Sequence, residues 1–64
     1  MEISQELLKK VQDFAETLTP ISEMSVLLDI SEDDLRDEIL KPDSELHRVY
    51  YLGMATVRQQ IRKN

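Results

Sequence analysis

Apolar residues recur at steps of three and four along most of this 64-residue chain, and two prolines interrupt the pattern. That spacing places side chains on one face of a helix with about 3.6 residues per turn. The interruptions at Pro20 and Pro42, together with the short turn Leu28-Asp29-Ile30-Ser31, separate four segments. The sequence therefore predicts an all-α, four-helix domain with helices near residues 4–18, 20–28, 32–40 and 44–62.

The predicted helix starts carry residues that can satisfy free backbone N–H groups. Candidate N-caps precede the first, third and fourth helices: Ser4, Ser31, and either Asp43 or Ser44. Pro20 suits the first position of the second helix, because the N–H that a proline lacks would have no partner there. Thr19 is then the predicted cap of that helix.

The apolar stripes predict the core. Its members on the four helices in turn are Leu7, Leu8, Val11, Phe14, Ala15 and Leu18; Ile21, Met24, Leu27 and Leu28; Leu35, Ile39 and Leu40; and Leu46, Val49, Tyr50, Gly53, Met54, Val57 and Ile61. A glycine inside a helix costs about 1 kcal/mol relative to alanine. Gly53 therefore indicates that another backbone passes close to the fourth helix.

Length and composition predict one small domain, residues 1–64, with a thin core, since short chains bury a smaller share of their surface. The chain has no cysteine for a disulfide or a thiolate metal site. Its stability must come from packed helices or from a partner chain. No apolar run approaches the roughly 20 residues that span a bilayer, and a signal-peptide layout is absent. We therefore expect a cytoplasmic protein that does not bind membranes.

Charge is divided unevenly along the chain. Residues 1–46 hold all 13 acidic residues and four basic ones, a net charge of −9. Residues 47–64 hold four basic residues and no acidic one, a net charge of +4. The first part would repel phosphate and the second would attract it. The mean charge alone therefore does not decide whether the chain binds nucleic acid.

The second and third predicted helices have the spacing of a helix-turn-helix. Asp29 lies at the bend, where the backbone is left-handed, a geometry that aspartate tolerates better than most residues. Ser25 is small enough for the two helices to approach each other, and Ile39 replaces the apolar residue common at the position of Glu38. A plain helical hairpin in a four-helix bundle remains the alternative interpretation.

Residues 21–64, which contain this motif, then "PDS" and "VYYLGMA", and then a basic helix, resemble phage terminase small-subunit proteins with a helix-turn-helix. The resemblance covers about two thirds of the chain. It implies a protein of a bacterium or an infected host cell that recognises viral DNA, delivers it to a packaging motor and forms ring-like oligomers. The chain is short for both an oligomerisation domain and a motor-binding tail.

The third predicted helix is an unusual DNA-reading helix, because "ISEDDLRDEI" contains five acidic residues and one basic residue. Arg36 is the best single candidate for a base contact, since arginine can bind guanine with two hydrogen bonds. Carboxylates near phosphates would oppose such binding. The third helix alone therefore predicts weak DNA reading.

The fourth helix offers the missing positive charge. Its candidate DNA contacts are Arg48, Arg58, Arg62 and Lys63, and Tyr51 and Leu52 are the candidate protein interface. The arginines follow one another, with Tyr51 and Ala55 between them, at steps of three and four on one face. They could instead complement the negative end of the helix dipole, or bind the acidic helix of a neighbouring subunit.

Enzymatic residues are scarce. His47 is the only histidine, so the usual nucleophile, base and orienting group cannot be assembled, and we expect it to be a surface or capping side chain. A calcium loop starting at Asp29 fails, because Asp34 replaces the turn glycine and Leu40 replaces the bidentate glutamate. The sequence predicts no enzyme activity, cofactor, metal or small-molecule substrate.

The leading hypothesis is a DNA-associated helix-turn-helix protein of phage or prophage type, with duplex DNA as its ligand and a role in DNA packaging. The alternative is an acidic protein-interaction or self-association module with the same fold and no DNA reading. Its partner would be another protein or a second copy in a homo-oligomer.

Overall fold

The computed structural model of this chain describes the backbone of residues 2–63 and the side chains of residues 2–60. All regular secondary structure in that range is α-helical, with α1 at Gln5–Glu16, α2 at Ile21–Leu28, α3 at Glu32–Leu40 and α4 at Glu45–Lys63. The predicted all-α, four-helix fold is confirmed, and each helix starts or ends within two residues of the predicted boundaries. Over the described residues, none of these helices is long and apolar enough to cross a bilayer.

The core lies where α4 packs along α1 and against α3, while α2 packs on α3. Its buried members come from all four helices: Leu8, Val11, Met24, Leu35, Ile39, Leu46 and Val49. Partly buried side chains surround them: Leu7, Phe14, Ile21, Leu28, Ile30 and Tyr50. Most of the predicted stripes therefore face inward, although the side chain of Ile61 lies outside the described residues.

Gly53 is the point of closest approach between α1 and α4. A Cβ atom at this position would lie 2.7 Å from the Cβ of Ala15 and 2.8 Å from the carbonyl oxygen of Gln12. Contacts under about 3 Å are repulsive, and a backbone oxygen cannot rotate away as a long side chain can. The predicted close backbone approach is confirmed, and its partner is α1.

Two helix starts have the predicted serine caps. The Oγ of Ser4 accepts a hydrogen bond from the N–H of Leu7 at 3.1 Å. The Oγ of Ser44 accepts one from the N–H of Leu46 at 3.2 Å, so Ser44 rather than Asp43 caps α4. Each bond satisfies one N–H that the helix itself cannot pair.

The cap predictions for α2 and α3 are partly wrong. Pro20 is not the first helical residue, because its ψ of 155° is extended and it occupies the cap position itself. The side chain of Thr19 instead shares a 2.9 Å hydrogen bond with Thr17, so it does not cap α2. Ser31 stands at the predicted cap position of α3, but its hydroxyl makes no capping hydrogen bond.

Both α1 and α2 end in the same left-handed turn. Leu18 has a φ of 58° and Asp29 a φ of 56°. The next N–H in each turn reaches back to a helix carbonyl, from Thr19 to Phe14 at 2.9 Å and from Ile30 to Ser25 at 3.0 Å. Glycine usually holds this position, since a side chain there is strained. The bend predicted at Asp29 is confirmed.

Three leucines predicted in the core are exposed. Their exposed fractions are 57% for Leu18, 65% for Leu27 and 56% for Leu40. Leu18 lies beyond the end of α1, which stops at Glu16 rather than at residue 18. Leu27 and Leu40 each adjoin a residue that faces the core, and the 100° step between neighbours turns them outward.

We predict that Gly53→Ala lowers the free energy of unfolding by about 1–3 kcal/mol, because the new methyl group overpacks the contact with α1. Urea unfolding followed by circular dichroism measures the change. The matched control is Ala55→Gly on the exposed side of the same helix, which isolates helix propensity at about 1 kcal/mol. If propensity alone governed this site, Gly53→Ala would stabilise the fold by a similar amount.

We predict that Leu18→Gly raises the free energy of unfolding by about 0.5–1 kcal/mol. A side chain in the left-handed region costs about 1–2 kcal/mol, which exceeds the added entropy of glycine in the unfolded chain. Thermal and urea unfolding measure the change. Leu18→Ala keeps a Cβ and should give no comparable gain; an equal gain would mean that the exposed side chain, rather than the backbone, is responsible.

Candidate nucleic-acid and protein interface

Arg36, the predicted base-reading residue, is engaged within its own helix. Its guanidinium forms an ion pair with Glu32 one turn earlier and lies 4.0 Å from the carboxylate of Asp33. The side chain remains 46% exposed. Such pairs between exposed residues contribute about 0.3–0.5 kcal/mol, so Arg36 is partly neutralised but can leave the pair at low cost.

The other exposed charged side chains of α3 are all acidic. Asp33, Asp34 and Asp37 are exposed, and the side chain of Asp33 is 91% accessible. The first turn of α3 holds three acidic residues, where the positive end of the helix dipole stabilises them. This surface therefore presents carboxylates to any approaching molecule.

The opposite charge lies on α4. Its cationic face consists of Arg48, Tyr51, Ala55 and Arg58, which are all exposed. Among the described side chains, residues 2–60, neither Arg48 nor Arg58 forms an ion pair. The side chains of Arg62 and Lys63, which continue the predicted DNA contacts, lie outside the described residues.

An aromatic cluster occupies the start of this face. The ring of Tyr51 lies 4.5 Å from that of His47 and 5.3 Å from that of Tyr50, the latter in an edge-on arrangement. Tyr51 and Leu52 are nevertheless 45% and 46% exposed. The predicted protein-interface residues are therefore accessible, and Tyr51 is held in place by its neighbours.

A polar corner fixes the cationic face relative to the acidic one. The carboxylate of Glu38 accepts hydrogen bonds from Lys41 Nζ at 3.0 Å and from Ser44 Oγ at 3.2 Å. His47 Nδ1 donates to the carbonyl oxygen of Ile39 at 2.8 Å, because a carbonyl can only accept. The predicted capping role of His47 thus takes the form of a bond to the last turn of α3.

The hydrogen bond from Lys41 lowers the pKa of the Glu38 carboxyl, and Ser44 adds to that effect. The same bond raises the pKa of Lys41. A carboxyl with a lowered pKa contributes stability above its unfolded pKa and loses it as the pH falls through the folded pKa. A lysine with a raised pKa contributes below its unfolded pKa and loses that contribution as the pH rises. The pair of Glu38 and Lys41 therefore contributes to stability across neutral pH, where both groups are charged.

One exposed surface was not predicted. Val26 and Leu27 of α2 are 78% and 65% exposed, and with Ser22 and Glu23 they line a shallow depression that we call the α2 patch. The run Val26-Leu27-Leu28 carried a usable signal, since three consecutive residues of a helix turn through about 200° and cannot all face one core.

The described residues contain no group of three or more histidine and carboxylate side chains placed to hold a metal ion. The chain matches no protein-family model, no curated protein and no solved structure with which it was compared. The features that bear on function are therefore the two charged surfaces, the exposed apolar side chains and the corner that connects α3 to α4.

We predict that Lys41→Met raises the pKa of the Glu38 carboxyl toward the ordinary value of a glutamate, because the charged hydrogen-bond donor is lost. Carbon-detected NMR titration of the carboxyl group measures the change. Lys10→Met is the matched control, since Lys10 pairs with Glu6 on α1, and it should leave Glu38 unchanged. An unaltered Glu38 pKa in Lys41→Met would contradict this account of the corner.

Proposed function

We propose that this chain is a DNA-associated helix-turn-helix protein of phage or prophage type that contacts the DNA backbone through α4 and takes part in DNA packaging. The observation that carries the proposal is the cationic face of α4, on which Arg48 and Arg58 are exposed and unpaired among the described side chains. The sequence adds Arg62 and Lys63 to the proposed contacts. The resemblance to phage terminase small-subunit proteins supports the packaging role.

The dimensions of α4 suit a duplex. Arg48 and Arg58 are ten residues apart, about 15 Å along a helix that rises 1.5 Å per residue. The major groove is roughly 12 Å wide, so arginine side chains at this separation can reach phosphates on both of its edges. Phosphate contacts supply most of the affinity for non-specific DNA, which makes this face sufficient for binding without base reading.

Base reading is the weaker part of the proposal. Arg36 would have to leave Glu32 and Asp33, giving up about 0.3–0.5 kcal/mol for each exposed pair. A bidentate contact with guanine provides about 1–3 kcal/mol of discrimination against the wrong base, which exceeds the loss from either exposed pair. The exposed carboxylates of α3 act in the opposite direction by repelling phosphates. We therefore propose modest sequence preference, with Arg36 as the residue that provides it.

A second candidate function is an acidic protein-interaction or self-association module with the same fold. The exposure of Tyr51 and Leu52 beside the arginines favours it, because tyrosine and arginine are enriched in protein interfaces. The acidic surface of α3 offers a complement to the cationic face of a neighbouring copy. In this function Arg36 stays paired and no base is read.

We predict that the affinity for duplex DNA falls steeply with salt, by about 0.9 units of log K per unit of log salt concentration for each phosphate contact. Fluorescence anisotropy with a labelled duplex measures the slope. Arg48→Glu combined with Arg58→Glu should abolish binding at low salt. Circular dichroism checks that the variant is folded.

The matched control is Lys9→Glu combined with Lys10→Glu on α1, which changes the net charge by the same amount at two other exposed residues. It should retain most of the binding. Equal loss in both double variants would show that the chain responds only to net charge. If the unaltered chain does not bind duplex DNA at low salt, the DNA proposal is wrong and the interaction module stands alone.

A further inference from the structure

The α2 patch joins apolar and acidic groups on one open surface. Val26 and Leu27 project beside Glu23 and Ser22 in the first depression. Val26 also lines a second depression, with Ser25, Asp29, Ile30 and Ser31, so the two depressions adjoin at Val26. Adjoining exposed apolar side chains that are rimmed by charge are typical of protein interaction sites.

The cationic face of α4 has the complementary chemistry. Tyr51 and Leu52 present apolar surface, and Arg48 lies one turn before Leu52 on the same helix. A contact between this face and the α2 patch would bury apolar groups of both surfaces. It would also place arginine beside the carboxylate of Glu23.

We infer that the α2 patch of one copy of this chain receives the cationic face of α4 from a second copy. The inference deepens the self-association function proposed above and rests on it. The two surfaces lie on different helices of one chain, so each copy offers one donor and one acceptor surface. Two copies that make the contact reciprocally form a two-fold dimer, whereas a contact that is not reciprocal generates rings or open filaments.

Charge selects this pairing over the symmetric ones. A contact between two α2 patches would bring together the Glu23 and Asp29 carboxylates of both copies. A contact between two α4 faces would bring together four arginines, Arg48 and Arg58 from each copy. Like charges facing each other across an interface are strongly unfavourable. Of these three pairings, only that of the α2 patch with the cationic face places opposite charges together. The acidic surface of α3 also complements the arginines, and the adjoining exposed side chains of Val26 and Leu27 are what favour the α2 patch as the acceptor.

The α2 patch is small, and we therefore expect weak association. Its lining comes from four residues of one short helix, whereas a stable interface commonly uses about 20–30 residues on each side. Concentrations on the order of 0.01 to 1 mM are suitable for the measurement. Sedimentation velocity and light scattering over this range give the mass as a function of concentration.

Charge-reversal variants test the pairing. Glu23→Lys alters only the acceptor, and Arg48→Glu combined with Arg58→Glu alters only the donor. Each variant alone should associate at least about tenfold more weakly than the unaltered chain. An equimolar mixture should recover association, because every contact between unlike copies then joins opposite charges. A mixture that stays monomeric while the unaltered chain associates would overturn the proposed pairing.

Apolar variants test the patch itself. Val26→Ser combined with Leu27→Ser should weaken association at least about tenfold, since both side chains are exposed and their loss leaves the core intact. Leu40→Ser is the matched control, because Leu40 is a similarly exposed leucine on α3, and it should associate as the unaltered chain does. Equal behaviour of the two variants would overturn the role of the α2 patch.

Failure of self-association can be distinguished from failure of DNA binding. The Val26→Ser, Leu27→Ser variant keeps every basic residue and should bind duplex DNA at least as well as the unaltered chain, whether or not it associates. An unaltered chain that remains monomeric up to about 1 mM overturns the inference and leaves the DNA proposal untouched. In that case, a synthetic amphipathic peptide of Leu and Lys residues tests for a different partner. Shifts that it causes in the α2 amide NMR signals would show that the α2 patch binds another protein.

Discussion

The approach of α4 to α1 at Gly53 is the contact on which the rest of the structure depends. With no Cβ between the helices, Ala15 and the carbonyl oxygen of Gln12 come within distances that any other residue would block. This approach lets Val11 and Val49 share one core in a chain too short to build a thick one. Because one side of α4 packs in that core, Arg48 and Arg58 face outward.

The corner between α3 and α4 then sets the geometry of charge. Glu38, Lys41 and Ser44 form a connected set of hydrogen bonds, and His47 adds a bond from α4 to the end of α3. These bonds hold a helix with exposed carboxylates against a helix with exposed arginines. The surface therefore has an acidic region on α3 and a basic region on α4, although the net charge of the chain is negative. Both proposed functions use that division.

Local features of the fold were predictable from the sequence. Ser4 and Ser44 act on N–H groups two or three residues away, and Asp29 turns the backbone at its own position, so neighbouring residues suffice to predict them. Gly53 was predictable because a helix-interior glycine carries a cost that close packing offsets.

Features that depend on the arrangement of helices were harder to predict. Leu27 and Leu40 fit the apolar spacing, but the direction of the core relative to each helix follows from tertiary packing. The same is true of the contacts of Glu38 with Ser44 and of His47 with Ile39, which join α3 to the N-cap of α4 and to α4 itself. For the candidate site, the sequence predicted that Tyr51 and Leu52 lie outside the core, whereas the α2 patch emerged only from the fold.

The two left-handed turns have a dynamic consequence for α2. This eight-residue helix is bounded by Leu18 before it and Asp29 after it, two residues that hold a strained backbone without the freedom of glycine. It packs mainly on α3 and contributes only Met24 and Ser25 as fully buried side chains. Such a segment opens at a lower free energy than the helices around it and exchanges its amide hydrogens sooner. A molecule that binds α2 would therefore suppress the local unfolding of this helix. Binding and the ordering of α2 would then be thermodynamically coupled.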